Sequence, residues 1–363
     1  MKHHKRIAVL VEGEWGARPS KTLTGMLRYR SQDVVTVIES SYAGQDAAQV
    51  LGVDAPHPIP VVADLEAAMR HEPDALLLAD EPVGSAIDPF WHRQVLAALG
   101  RGLDVISGLH YQLAQDKEAV AAAAGTGAHI WDVRRPPQEL YFTDFTAEGR
   151  PVVNYRPHRS GTRTVLAVGT DCSSGKMTTM LELAGEATAR GLAPGFVATG
   201  QVGMMISGGG VAVDTVMADF VNSVVEHHVF HTAQEHDLVL VEGQGAVNHP
   251  RYSAVTLGLL HGARPDALIL CHELGRTSVG LLPQHPLPSL ERAIEINHQA
   301  AQWVWPEDGC RVVGISVMSH RLCDDEARTA IDRIEQETGL PTTDVLRYGA
   351  NRLLDAALAV PVA

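Results

Sequence analysis

Short, continuous apolar runs alternate along the chain with longer stretches in which apolar residues recur at helical spacing. Residues 6–11, 34–38, 75–79, 104–107 and 129–133 read as buried strands. Residues 21–29, 63–70, 90–100 and 119–124 read as the helices between them. Strands buried on both faces and separated by helices predict a parallel sheet with helices on either side. The alternation resumes at 164–168, 195–199, 237–241, 267–271 and 311–317, with helices expected over 177–190, 215–227, 324–339 and 351–358. Between the two series lie Arg135-Pro136-Pro137 and a polar stretch, 148–163, holding two prolines and two glycines. The expected architecture is α/β in two domains, residues 1–150 and 151–363, each built on a parallel sheet. The length of 363 residues agrees, being more than most single cores support.

The first domain is Rossmann-like in its alternation, yet no G-x-G-x-x-G follows its first strand. Gly13-Glu14-Trp15-Gly16 reads as a plain turn, so no dinucleotide is expected there. The second domain opens on the most informative stretch of the chain, residues 164–190, TVLAVGTDCSSGKMTTMLELAGEATAR. A strand, a small polar loop ending in Gly175-Lys176 and an amphipathic helix make a phosphate-binding unit, so a P-loop NTPase-like sheet is expected. Backbone N–H groups of such a loop curl around phosphate oxygens, the lysine adds a point charge, and the helix terminus adds its partial positive charge. Gly169, Thr170, Ser173, Ser174, Gly175, Lys176, Thr178 and Thr179 are the expected cofactor-binding residues. The loop is one residue longer than G-x-x-x-x-G-K-[ST], with Thr170 at the usual first-glycine position. Met177 stands where a hydroxyl ordinarily holds Mg²⁺, and Thr178 and Thr179 are the available substitutes.

Composition narrows the picture. At 45% hydrophobic and 20% charged residues this is an ordinary globular chain, and a net charge of −14 argues against a nucleic-acid partner. The apolar run near the start is short and ends in Glu12, and no segment has the length of a membrane span, so a cytoplasmic protein with no membrane partner is expected. Cys172, Cys271, Cys310 and Cys323 are widely spaced, which implies neither a zinc site nor a disulfide framework. The expectation is therefore no metal, a small-molecule substrate and, on general grounds, a homo-oligomer.

The GTD-x-x-x-GK loop resembles that of dethiobiotin synthetase and the related cobyrinate amidating enzymes. Taken with VEGQGAVNHPRYSAVTLGLLHGARPDALILCH, GARPSKTLTGMLRY, SGLH, IWDVRRPP and ETGLPTTD, it resembles one two-domain family over nearly the whole chain. That family was long described only as a domain of unknown function, with a Rossmann-like part followed by a P-loop part. One of its branches is described as D-glutamate N-acetyltransferase. The resemblance implies an N-acyltransferase using acetyl-CoA, with the phosphate loop holding CoA phosphates. Residues 80–85, DEPVGS, depart from the glycine-rich, uncharged loop expected of the family. The alternative is an ATP-dependent ligase or kinase like dethiobiotin synthetase, using Mg-ATP and an acyl phosphate; a third is a CoA- or nucleotide-sensing protein without turnover.

Candidate chemical groups lie in the loops after the second-domain strands, where α/β proteins bind ligands. Glu242 either holds a metal, accepts a proton from an attacking amine, or caps the next turn as a buried carboxylate. Asp214 and Asp219 either orient and deprotonate an ammonium group or are solvated and capping. Arg251 and Arg276 suit a dicarboxylate clamp or a surface ion pair. His249 and His272 are acid–base candidates for the substrate. Cys172, inside the phosphate loop, is either an acyl carrier or a small residue that fits the turn.

Overall fold

Two parallel sheets organise the chain in a computed structural model, which describes residues 6–13, 15, 20–79, 86–141, 161–280, 282–307 and 309–361. The departure at 80–85 and most of the expected linker 148–163 lie outside the described residues, as do Glu14 and Gly16 of the expected turn. The first sheet has strands β1 (Ile7–Leu10), β2 (Val34–Ile38), β3 (Val61–Val62), β4 (Ala75–Leu78), β5 (Asp104–Ser107) and β6 (Ile130–Asp132), in the order β3-β2-β1-β4-β5-β6. All neighbours pair in parallel. Every residue of β1, β4 and β5 is buried, as continuous apolar runs between two helical layers require. Leu10, Leu76, Leu78, Val95, Leu99 and Val105 belong to the core on one face.

The second sheet has β7 (Arg163–Gly169), β8 (Pro194–Val197), β9 (Leu238–Val241), β10 (Ala267–Glu273), β13 (Arg311–Met318) and β14 (Thr342–Thr343), ordered β14-β13-β10-β7-β9-β8. Between β10 and β13 a small antiparallel hairpin forms from β11 (Ser278–Val279) and β12 (Leu282–Pro286). Its core on one face includes Val165, Met180, Leu183, Leu240, Ile269 and Leu353. β7 lies at the centre, flanked by β9 and β10. The loops leaving these three strands are therefore neighbours at one edge of the sheet. They carry most of the second-domain candidate residues named above.

The two compact units do not divide at a single point near residue 150. One comprises Met1–Pro136 with Gln201–Thr215, the other Pro137–Gly200 with Val216–Ala363. The first boundary falls in the expected Arg135-Pro136-Pro137, and Gln201–Thr215 groups with the first unit. Gln201–Ser207 is a helix. Met205 and Gln201 approach Gly108 so closely that a Cβ there would meet Met205 Cε at 2.9 Å. Arg30 Nη1 donates to the Met205 carbonyl at 3.2 Å, and Arg134 pairs with Asp214. In the other unit, Tyr141 stacks on Phe220 with centroids 4.6 Å apart and receives the Met217 N–H. The helix expected over 215–227 begins later, at Val221, and runs to Ala233 after two short 3₁₀ turns.

Candidate functional site

The phosphate loop takes the shape its sequence predicts. Gly175 has φ +97° and Ser173 φ +53°, so the chain twice enters the left-handed region to curl its N–H groups inward. Gly175 then precedes the helix Lys176–Ala189, whose first turn receives no side-chain cap. An uncapped helix start presents N–H donors and partial positive charge, the physical basis of an anion site. Lys176 is buried, and its Nζ donates to the Asp171 carbonyl at 2.7 Å and to Ser174 Oγ at 3.3 Å. Two glycines make room for it. A Cβ on Gly169 would lie 2.9 Å from Lys176 Nζ, and one on Gly243 would lie 3.0 Å from Lys176 Cδ and 1.7 Å from the Ala167 carbonyl oxygen.

Asp171, not singled out from the sequence, is the hub of this edge. It is fully buried, and its carboxylate accepts from Arg276 Nη1 at 2.8 Å, from the Gly280 N–H at 2.7 Å and from the Cys172 N–H at 2.7 Å. Arg276 also donates to the Cys172 carbonyl at 2.8 Å and pairs with buried Glu273, which Arg321 meets at 3.0 Å. The guanidinium expected to clamp substrate is thus engaged by two buried carboxylates, and it ties the phosphate loop to the loops after β10 and β13. The GTD triplet was the only sequence signal for Asp171. Glu273 gave none, because its partners are set by the fold.

Other candidates sort as clearly. Glu242 is buried, with its Oε2 accepting the Thr199 and Gly200 N–H groups of the turn after β8 at 3.0 and 3.1 Å. Thr179, in the first turn of the helix, is buried, its Oγ1 2.9 Å from the Gly175 carbonyl and 2.8 Å from Ser316 Oγ. Thr178 is half-buried and Met177 is buried. Asp214 belongs to the first unit, where it pairs with Arg134. Asp219 sits exposed in the turn before the helix that begins at Val221. Arg251 is exposed at the end of the β9 loop.

Both histidines are close to the loop. His272 Nδ1 is 2.9 Å from Thr170 Oγ1, and burial, with Arg276 beside it, pushes the ring down to about 4. The Thr170 carbonyl accepts from Asn248 Nδ2 at 3.0 Å, a second contact unread in the sequence. His249 is buried against Tyr252, with ring centroids 4.6 Å apart. Burial holds it below its usual value, with Arg251, Lys176 and His285 acting in the same direction and Asp171 opposing them. Its Nδ1 accepts the Arg251 N–H at 3.0 Å, while Nε2 lies 3.6 Å from Asp171 Oδ1. The network therefore selects the neutral tautomer with its proton on Nε2.

Asp171, Cys172 and His249 bring ligand-type atoms within 4.8 Å of one another, a composition that can hold a metal. The donor chemistry argues otherwise. A histidine that binds metal through Nε2 carries its other proton on Nδ1 and donates it outward, whereas this Nδ1 is an acceptor. Asp171 moreover already receives a guanidinium and two N–H groups. Among the described residues no helix is long and apolar enough to cross a membrane.

Known proteins place this architecture. Residues 40–136 match the Rossmann-like N-terminal part, and residues 151–354 the P-loop part, of the domain of unknown function DUF1611. A protein of Tritonibacter scottomollicae named D-glutamate N-acetyltransferase is 40% identical over 82% of this chain and 84% of its own length. One of the same name from a Pseudoalteromonas species is 38% identical over 75% and 77%. The crystal structure of a DUF1611 family protein from Anabaena variabilis is similar over 98% of this chain and 99% of that one, at a TM-score of 0.88 and 36% identity. With both parts matched, and with a phosphate loop in the second, the chain belongs to the two-domain DUF1611 family.

Proposed function

We propose that the chain is an N-acetyltransferase that moves the acetyl group of acetyl-CoA to the amine of a small acidic amino acid, D-glutamate being the first candidate. The observation that carries this reading is an anion cradle lacking the usual hydroxyl for Mg²⁺. The helix start is uncapped and Lys176 is at hand, but Met177 is buried and the Thr179 hydroxyl is engaged by the Gly175 carbonyl and Ser316. Such a loop suits the phosphates of CoA, which need binding but no transfer, better than a γ-phosphate that must be activated by metal. Gly169, Thr170, Ser173, Ser174, Gly175 and Lys176 would hold those phosphates. The names of the two relatives supply the group transferred and its acceptor.

Arg251 is the guanidinium we assign to a substrate carboxylate, since Arg276 is committed to Asp171 and Glu273. Backbone N–H groups of the loops after β7 and β9 would stabilise the oxyanion of the tetrahedral intermediate, commonly the largest catalytic term. The acceptor must lose a proton, and exposed Asp219 remains a candidate for that step.

The test is release of CoA, followed with a thiol reagent, when the protein meets acetyl-CoA and acidic amino acids of both hands. Release with D-glutamate is expected; none with any member of the panel sinks the reading. A second measurement addresses the loop. Lys176→Ala should weaken CoA binding about 10- to 150-fold, as loss of a charged hydrogen bond of roughly 1.5–3 kcal/mol implies. Calorimetry that shows tight, Mg²⁺-dependent ATP binding instead would favour the ligase alternative.

A further inference from the structure

We propose that Cys172 is the acyl-accepting nucleophile, so that acetyl transfer proceeds through an acetylated cysteine in the phosphate loop. This rests on the acetyltransferase reading and adds to it a covalent step. Three observations support it. The Cys172 sulfur lies within 4.8 Å of a ring nitrogen of His249 and a carboxylate oxygen of Asp171, and both of those residues are almost wholly buried. The sulfur thus lies beside the His249 ring, whose Nε2–H is a donor that can favour the thiolate. Secondly, the thiol is half-buried rather than enclosed, in a loop that runs into an uncapped helix start. Thirdly, cations hold that loop from both sides. Lys176 Nζ binds the Asp171 carbonyl, and Arg276 Nη1 binds the carbonyl of Cys172 itself. A partly exposed turn at a helix N-terminus is where thiolates form.

The neighbouring residues sharpen the choice. Ser174 Oγ donates to the Asp171 carbonyl at 3.0 Å, and Thr170 Oγ1 is bound to His272, so these hydroxyls shape the loop. Cys271, in β10 opposite Gly169, gives the contrast. It is fully buried and burial pushes its thiol up to about 11, so it stays a protonated packing group. His249 is not the base in this scheme. Its Nδ1 lone pair is taken by the Arg251 N–H, which leaves an Nε2–H as a donor beside the sulfur and Asp171.

In the first step the Cys172 thiolate attacks the thioester carbonyl. A carbon–sulfur bond forms to Cys172 as the bond to CoA breaks, and the CoA thiolate leaves and takes a proton from water. In the second step the neutral amine attacks the acetyl-cysteine. A carbon–nitrogen bond forms, the Cys172 thiolate departs unchanged, and the surplus proton on nitrogen goes to solvent. The sum is acetyl-CoA plus amine giving amide plus CoA, with no oxidant or reductant.

The experiment uses the full chain with acetyl-CoA and no acceptor. Stoichiometric CoA release is expected, together with exchange of label between CoA and acetyl-CoA. Acid-quenched peptides should carry acetyl on Cys172, removable by hydroxylamine. With acceptor present, initial rates should give parallel double-reciprocal lines. Cys172→Ala and Cys172→Ser should both lose exchange and turnover while binding acetyl-CoA and melting as the parent does. Acetylation of D-glutamate at the parent rate by Cys172→Ala, or converging lines with no exchange, would overturn the proposal and leave the acetyltransferase reading standing. Exchange at Cys172 without acetylation of any acidic amino acid would do the reverse. Turnover abolished by a chelator and restored by zinc, with Cys172 never acetylated, would also overturn it.

Discussion

The carboxyl edges of the two sheets both bury acidic side chains, but they satisfy them differently. In the first unit Glu39 accepts the Gly13 N–H at 2.8 Å, the Ser41 N–H at 3.1 Å and the Ser41 hydroxyl at 2.6 Å. Asp132 accepts the Leu113 and Ala114 N–H groups at 3.1 and 2.8 Å. In the second unit Asp171 and Glu273 share Arg276, and Glu273 also meets Arg321. A carboxylate met by backbone donors joins two neighbouring segments of the sheet edge. A carboxylate met by a guanidinium can tie several loops together, here those after β7, β10 and β13. The second arrangement also offsets the positive charge gathered at this edge. Two buried carboxylates hold Arg276 and Arg321, which would otherwise repel one another.

The largest expected break in this comparison is steric. Gly243→Ala puts a methyl 1.7 Å from the Ala167 carbonyl oxygen, so β7 and β9 must part. A loss at or beyond the ~3 kcal/mol upper end of ordinary overpacking is expected, read by urea unfolding. Its counterpart in the first unit is Gly108→Ala. The added methyl there meets the ends of flexible side chains, Met205 and Gln201, which can turn aside, and little change is expected. Equal losses for the two would contradict the contrast between a rigid and a yielding edge.

Next in size is the charge network. Arg276→Met strips two buried carboxylates of their shared cation, and removal of one partner from a buried pair costs about 3–5 kcal/mol. Arg321→Ala acts on the same Glu273 from a half-exposed side chain and should cost no more than about 1 kcal/mol. Urea unfolding of both variants decides. Near-equal losses would mean that Arg276 is as screened as Arg321 and that the hub is peripheral.

How much of this was legible depends on the range over which each feature is encoded. Strands such as Ala75–Leu78 and Leu238–Val241 read directly, because a parallel strand buried on both faces is a continuous apolar run. The phosphate loop read directly because its glycines and lysine are adjacent in sequence. Leu282–Pro286 did not, since LPQHP is polar and carries two prolines, which disfavour strand assignment. The helix Gln201–Ser207 holds Gly203 and runs into three glycines, and its stability comes from packing in the first unit. Arg276 was found as a residue, but its partner could not be read: Asp171 is 105 positions away, a distance only the fold spans.

Acid should discriminate between the units. Burial pushes both His272 and His228 down to about 4, with Arg276 acting on the first and His227 and His231 on the second. Both folded values lie below the ordinary 6.5. Between about pH 6.5 and 4 each ring therefore binds more protons unfolded than folded, and stability present above 6.5 is lost as pH falls through that window. A shift of this size corresponds to roughly 3 kcal/mol per ring. Both histidines are in the second unit. In the first unit burial raises the Asp132 carboxyl, so its contribution has the opposite sign and grows toward acid. Hydrogen exchange at pH 7 and pH 5, corrected for intrinsic rates, should show protection lost first in the second unit. Loss in the first unit alone would reverse the assignment.

The smallest effect tests whether the phosphate-loop helix is tuned throughout or only at its start. Gly185 lies on the exposed side of the helix Lys176–Ala189, and a Cβ there meets nothing within 4 Å. A glycine in a helix interior costs about 0.5–1 kcal/mol relative to alanine, because the unfolded chain has more backbone freedom to lose. Gly185→Ala should therefore raise stability by about that amount. CoA affinity should not change, since Gly185 is nearly three turns beyond the loop and touches none of its partners. A gain in urea midpoint at unchanged slope, with parent-like CoA binding, is the expected result. A gain in stability accompanied by weaker binding would show that the helix must yield for its N-terminus to close on the anion, and the rigid edge drawn here would have to be replaced by one that moves.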